Sequence, residues 1–198
     1  MGNPHAIGQA RELLGFSPEN IRLISAVHEA GHAVVGHTLG MVIERAHLTD
    51  DGSLDGHVTV DYGYGPGKIV PLPDLLTLRA AGFQAMFTWL EDRQLLSDRR
   101  TEAINYLAAG DIEWCIATCR DLGMGSVTMQ DGIEPAVRIL RHRWPTVLRM
   151  AYVLAKAGSL AEHEVEPLLL CDPQRRLIAL GGYRRWRDGG TAERWYRP

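Results

Sequence analysis

Two histidines four residues apart, with a glutamate after the first, mark the stretch AVHEAGHAVVGHTLG, Ala26 to Gly40. On a helix, positions i and i+4 project from one face, so His28 and His32 can offer two imidazoles to one cation. Glu29 stands where its carboxylate can reach a water on that cation without binding the metal itself. This is the physical content of HExxH: Zn2+ acidifies a water, and the glutamate takes its proton as the water attacks a carbonyl. The bland alternative is a small-residue helix whose histidines are merely solvated or satisfied in the core.

A catalytic zinc takes three protein ligands and keeps a fourth position for water. The nearest further histidine, His37, lies five residues past His32, which rotates it away from the shared face of an unbroken helix. In the metzincin pattern a glycine breaks the helix three residues past the second histidine, and the third ligand follows at six. Val35 and Thr38 occupy those positions here. The third ligand is therefore expected from a later helix, where Glu91, Glu102, Asp111 and Glu113 are the acidic candidates.

The elements that must position these groups are readable in outline. Ser17 as N-cap, Pro18 at the first helical position and Glu19 in the first turn predict a helix start. Apolar residues at Ile21, Ile24, Val27, Val34, Val35 and Leu39 continue it to a stop at Gly40, placing the motif on a helix over about Pro18 to Leu39. Two strands follow, MVIERAHL and DGHVTVDY, then a Gly/Pro loop from Gly63 to Pro73. The strand around Asp55 to Asp61 is a candidate for pairing with an extended peptide, and His57 and Tyr62 are candidates for helping to stabilise an oxyanion. Later helices are predicted over Leu75 to Leu96, Arg99 to Ala108, Asp111 to Leu122, Glu134 to Lys156 and Ala161 to Leu170, with Pro145 kinking or dividing the fourth. Asp111, after Gly110 and opening its helix, is by itself equally a ligand or an N-cap. The fold class expected is mainly α with a small β-sheet.

HEAGHAVVG is very similar to the zinc helix of the FtsH-type ATP-dependent metallopeptidases. In that family an Asp far downstream, in a TGAxNDLxxAT context, completes the site. The segment YLAAGDIEWCIATCRDLGMG resembles that context in Gly110-Asp111-Ile112 and Ala117-Thr118, with Gly123-Met124 trailing, and TGAxN is kept only in part. The resemblance implies Asp111 as third ligand, beside His28 and His32, with Glu29 as general base and Zn2+ as cofactor. RAAGFQAMFTWLED resembles the family's LAGRAAEEL helix, with Ala81 and Gly82 in the small positions that pack on the zinc helix. VLAKAGSLAEHEVEPLL resembles the closing segment, so the likeness runs from Ile21 to Leu170. It implies a zincin-like helical peptidase domain over 17–171, with an N-terminal arm over 1–16 and a tail over 172–198.

The bulk numbers are those of an ordinary globular protein. The chain has 198 residues, 45% hydrophobic and 23% charged, and a net charge of -3, which argues against general nucleic-acid binding. No run approaches the roughly 20 apolar residues of a membrane span, and the N-terminus lacks a signal-peptide core, so a cytoplasmic protein is expected. Cys115, Cys119 and Cys171 form neither a disulfide framework nor a paired zinc pattern and read as buried, inert thiols. From Pro173 to Pro198 the chain carries seven Arg against one Asp and one Glu, with Tyr183, Trp186, Trp195 and Tyr196 interleaved. Such a tail docks on a partner, on nucleic acid or back on its own domain.

The expected function is zinc-dependent hydrolysis of peptide bonds in flexible or unfolded protein segments. The family's familiar members join this domain to membrane helices and an unfolding ATPase, whereas this sequence contains no GxxxxGK[ST] loop. A separate unfoldase or adaptor is thus the expected partner for folded substrates. The rival readings are an inactive FtsH-peptidase-like interaction or regulatory module, a zinc hydrolase acting on a non-peptide amide, and a nucleic-acid-binding regulator using the Arg/Trp tail. The intact Glu29 speaks against the first, because a structural metal site has no use for it.

Overall fold

The structure, a computed structural model, describes residues 4–49, 56–61, 70–123 and 130–170. Asp55, Tyr62, Cys171 and the basic tail lie outside the described residues. In chain order the elements are α1 (Pro4–Leu14), α2 (Pro18–Thr38), β1 (Val42–Leu48), β2 (Gly56–Asp61), α3 (Leu72–Asp92), α4 (Asp98–Leu107), α5 (Ala109–Asp121), α6 (Gln130–Ala157), β3 (Ser159–Ala161) and α7 (Glu162–Leu170). The described chain is mainly helical with one small antiparallel sheet, as the sequence predicts.

α2 forms where its capping residues place it. The Ser17 hydroxyl accepts from the Asn20 amide at 3.4 Å, Pro18 opens the first turn, and Gly40 takes φ +86 just beyond the end. The helix lies against α3, α6 and β1, so nearly its whole middle is buried, from Ile24 to Val27 and from Glu29 to Gly36. Close approach to α3 depends on Gly31: a Cβ there would stand 2.7 Å from the Ala85 Cβ and 2.8 Å from the Ala81 carbonyl oxygen. Ile24, Val27, Val34, Met86, Trp89, Leu140, Met150 and Leu154 fill the core between the three long helices.

α6 departs from expectation. It runs unbroken from Gln130 to Ala157, with Pro135 and Pro145 both inside it, so Pro145 does not divide it. A proline inside a helix costs about 3 kcal/mol. Leu140 on one side and Val147, Met150, Ala151 and Leu154 on the other are all buried at helical spacing. Burying such side chains contributes roughly 1.5–3 kcal/mol each, which outweighs the lost hydrogen bond.

The sheet order is β2-β1-β3. Pairing matches His47 with His57 across β1–β2 and with Ser159 across β1–β3, and a register shift falls between Ile43 and Arg45. β3 is the strand the sequence did not predict; three residues after Gly158, which ends α6 at φ +79, are too few to show alternation. α1 is a helix whose Ala10 and Leu14 are buried in the main core, and it packs on α4, where Arg100 donates to the Leu14 carbonyl at 3.2 Å. No helix among the described residues is long and apolar enough to cross a membrane.

Candidate metal centre

The i, i+4 spacing in α2 brings His28 and His32 edge to face, with ring centroids 4.6 Å apart and their Nε2 atoms at 2.9 Å. Both rings point at α5. Asp111 does not cap that helix: Ala108 holds the N-cap position without a side-chain bond, and Asp111 lies in the first turn with its carboxylate turned inward. Its Oδ2 stands 3.1 Å from His32 Nε2 and 3.2 Å from His28 Nε2. Among the described residues this is the group of side chains that could hold a metal ion. Glu91, Glu102 and Glu113 are exposed and take no part.

Hydrogen bonding fixes what the triangle presents. A carbonyl only accepts, so the contact of His32 Nδ1 with the Leu78 oxygen at 2.7 Å puts the proton on Nδ1 and leaves the Nε2 lone pair facing inward. His28 Nε2 and Asp111 Oδ2 face that lone pair at 2.9 and 3.1 Å. Either an imidazole takes a proton or a cation sits among them. Ligand atoms around tetrahedral zinc at about 2.0–2.1 Å are separated by about 3.3 Å. The observed edges of 2.9, 3.1 and 3.2 Å are only a few tenths tighter, so the residues fit such an ion.

The electrostatics of the side chains themselves show how strongly the groups couple. Burial pulls the His32 imidazole down, but the Asp111 charge and hydrogen bond, followed by the Glu29 charge, raise its pKa above the ordinary value. Burial likewise pushes the Asp111 carboxyl up, yet the His32 charge and hydrogen bonds from His28 and His32 hold it well below the carboxylate range. One turn beyond Asp111, burial pushes the Cys115 thiol up to about 11, with the Asp111 charge adding to it. Cys115 and Cys119 are buried and free, as inert thiols should be.

α3 contributes no ligand atom to the triangle, yet it shapes all of it. Besides the Leu78 carbonyl, it brings Arg79, whose Nη1 donates to Asp111 Oδ1 at 3.1 Å. Gly82, one turn on, leaves the room: a Cβ there would lie 2.5 Å from both His28 Cε1 and His32 Nε2. Glu29 is buried at 4% exposure and points to the sheet, where a Cβ on Gly56 at the start of β2 would meet its Oε1 at 2.7 Å. His37 lies in the last turn of α2, where burial and the charge of Arg143 lower its pKa while Glu166 opposes them. His57 stands exposed on β2 with its ring 5.3 Å from that of His47. Arg79 escaped the sequence reading, although a single cation in the apolar run LLTLRAAGF is a visible signal.

Compared with known proteins, the chain matches no family model and no curated protein.

Proposed function

We propose that this chain is a zincin-like zinc metallopeptidase domain, similar to the FtsH type, that cleaves peptide bonds in flexible or unfolded protein segments of the cytoplasm. The observation that carries the reading is the meeting of His28, His32 and Asp111, the last of them 79 residues from His32 in sequence, at one point where the Glu29 charge also acts on His32. His28, His32 and Asp111 hold the ion. When bound, zinc supplies acidification of a water and polarisation of the scissile carbonyl. Glu29 accepts the proton of the attacking water and returns it to the leaving amine. β2 pairs only with β1 among the described residues, and its other edge offers main-chain hydrogen bonds to an extended peptide. A separate unfoldase or adaptor supplies folded substrates.

The test compares wild type, Glu29→Gln and Asp111→Ala for bound metal and for cleavage of casein. Wild type and Glu29→Gln are expected to hold nearly one zinc each, with cleavage lost in Glu29→Gln. Asp111→Ala should hold far less. Full zinc and unchanged cleavage in Asp111→Ala would overturn the assignment.

A further inference from the structure

Asp111 divides its two oxygens between two tasks. Oδ2 faces the histidine Nε2 atoms at 3.1 and 3.2 Å, and Oδ1 accepts from Arg79 Nη1 at 3.1 Å. The guanidinium is held in turn by the helix that carries the carboxylate, since it lies 4.4 Å from the Trp114 ring, three residues past Asp111 on α5. Arg79 Nε is buried with no hydrogen-bond partner among the described residues. Carboxylate and ring therefore set the position of the guanidinium, without a full set of donors being satisfied elsewhere.

A free carboxylate can chelate a cation through both oxygens, and doing so occupies a coordination position. A hydrolytic zinc site must keep one position open. We infer that Arg79 is a positioning residue that engages Oδ1 of Asp111 and so keeps this carboxylate a one-oxygen ligand. The inference rests on the reading of Asp111 as third ligand. It assigns to Arg79 the coordination number of the site, beyond the tie between α3 and α5 that any ion pair would provide. A charged planar donor suits the task, because a charge-assisted bond on Oδ1 opposes rotation of the carboxylate toward the ion.

The test uses Co2+ added to chelator-stripped full chain, whose visible absorption is strong when four ligands surround the ion and weaker with five or six. Wild type is expected to show the strong band. Arg79→Gln should lower it at least twofold by letting Asp111 chelate, and Arg79→Lys, which keeps a charged donor, should recover most of it. An Arg79→Gln band equal to wild type overturns the proposal, as does a lowered band that Arg79→Lys does not recover. If Arg79→Gln fails to fold, Trp114→Leu removes the ring beneath the guanidinium, and a wild-type band there overturns it too. Asp111→Ala separates the two claims. Wild-type Co2+ binding in that variant removes the ligand assignment itself, whereas lost binding alongside an unaltered Arg79→Gln band removes only the role of Arg79.

Discussion

The imidazole of His32 donates through Nδ1 to the main-chain oxygen of Leu78 at 2.7 Å, joining α2 and α3 through residues 46 apart in sequence. That oxygen also belongs to the hydrogen-bond ladder of α3, four residues before Gly82. One peptide group thus serves both the helix and the orientation of an imidazole. Because most of α3 is buried, the geometry of the site follows the packing of α2 on α3.

Gly82→Ala tests that dependence. Alanine improves helix propensity by about 1 kcal/mol, but its methyl would stand 2.5 Å from His32 Nε2, so the imidazoles must move. The expected outcome is zinc affinity reduced about tenfold or more, with helical content kept in chelator. Metal analysis and circular dichroism check it, and wild-type zinc affinity would refute the steric argument.

Gly56→Ala acts on Glu29 instead. The added Cβ would come within 2.8 Å of Glu29 Cγ and of the His47 carbonyl, displacing the carboxylate from its seat against β2. Casein cleavage is expected to fall about 100-fold, the scale of a lost general base, while bound zinc stays near wild type. Loss of both together would instead point to a collapsed sheet.

His37→Ala should leave zinc content unchanged. The ring sits at the far end of α2, under the influence of Arg143 and Glu166, and is not part of the ligand group. A drop in bound zinc with the fold intact would contradict the geometry.

The pH dependence of stability should differ with and without metal. In the metal-free protein His32 has a pKa above its unfolded value of 6.5, so its contribution is complete below about pH 6.5 and is lost as pH rises through the folded value. Asp111 is shifted below 3.8, so its contribution is present above about pH 4 and is lost as pH falls through the folded value. The stability difference between chelated wild type and chelated His32→Gln should therefore be fullest at about pH 6 and shrink as pH rises through the folded value of His32. Zinc binding competes with protons for the imidazoles, so the stabilisation it confers should grow over the same interval. Urea titrations across that pH range decide. A chelated difference that widens with pH runs against the shift of His32.

Much of this was legible in the residues because local rules and tertiary packing agree in them. Ser17, Pro18 and Gly40 bound α2 to within a residue of where capping places it, and the HExxH spacing set His28 and His32 on one face. Asp111 could not be separated from a cap by local rules. Its helix begins two residues earlier, at Ala109, and that start depends on contacts with α3 and α4. β3 exists only because β1 is there to receive it, and Pro145 is tolerated only because α6 buries both of its halves. Arg79 is the instructive omission: its role lies in distances across three helices, and no spacing along the chain encodes them.

The reach of the site along the chain carries a thermodynamic consequence. An ion shared by His32 and Asp111 would fasten two points 79 residues apart, as a disulfide does. Closing a loop of that size removes about 4.5 kcal/mol of disorder from the unfolded chain. That is a large share of the roughly 5–15 kcal/mol that keeps a domain folded. On the proposed reading the ion would be a staple as well as a reagent, and metal supply would govern how much of the protein survives as well as how fast it works.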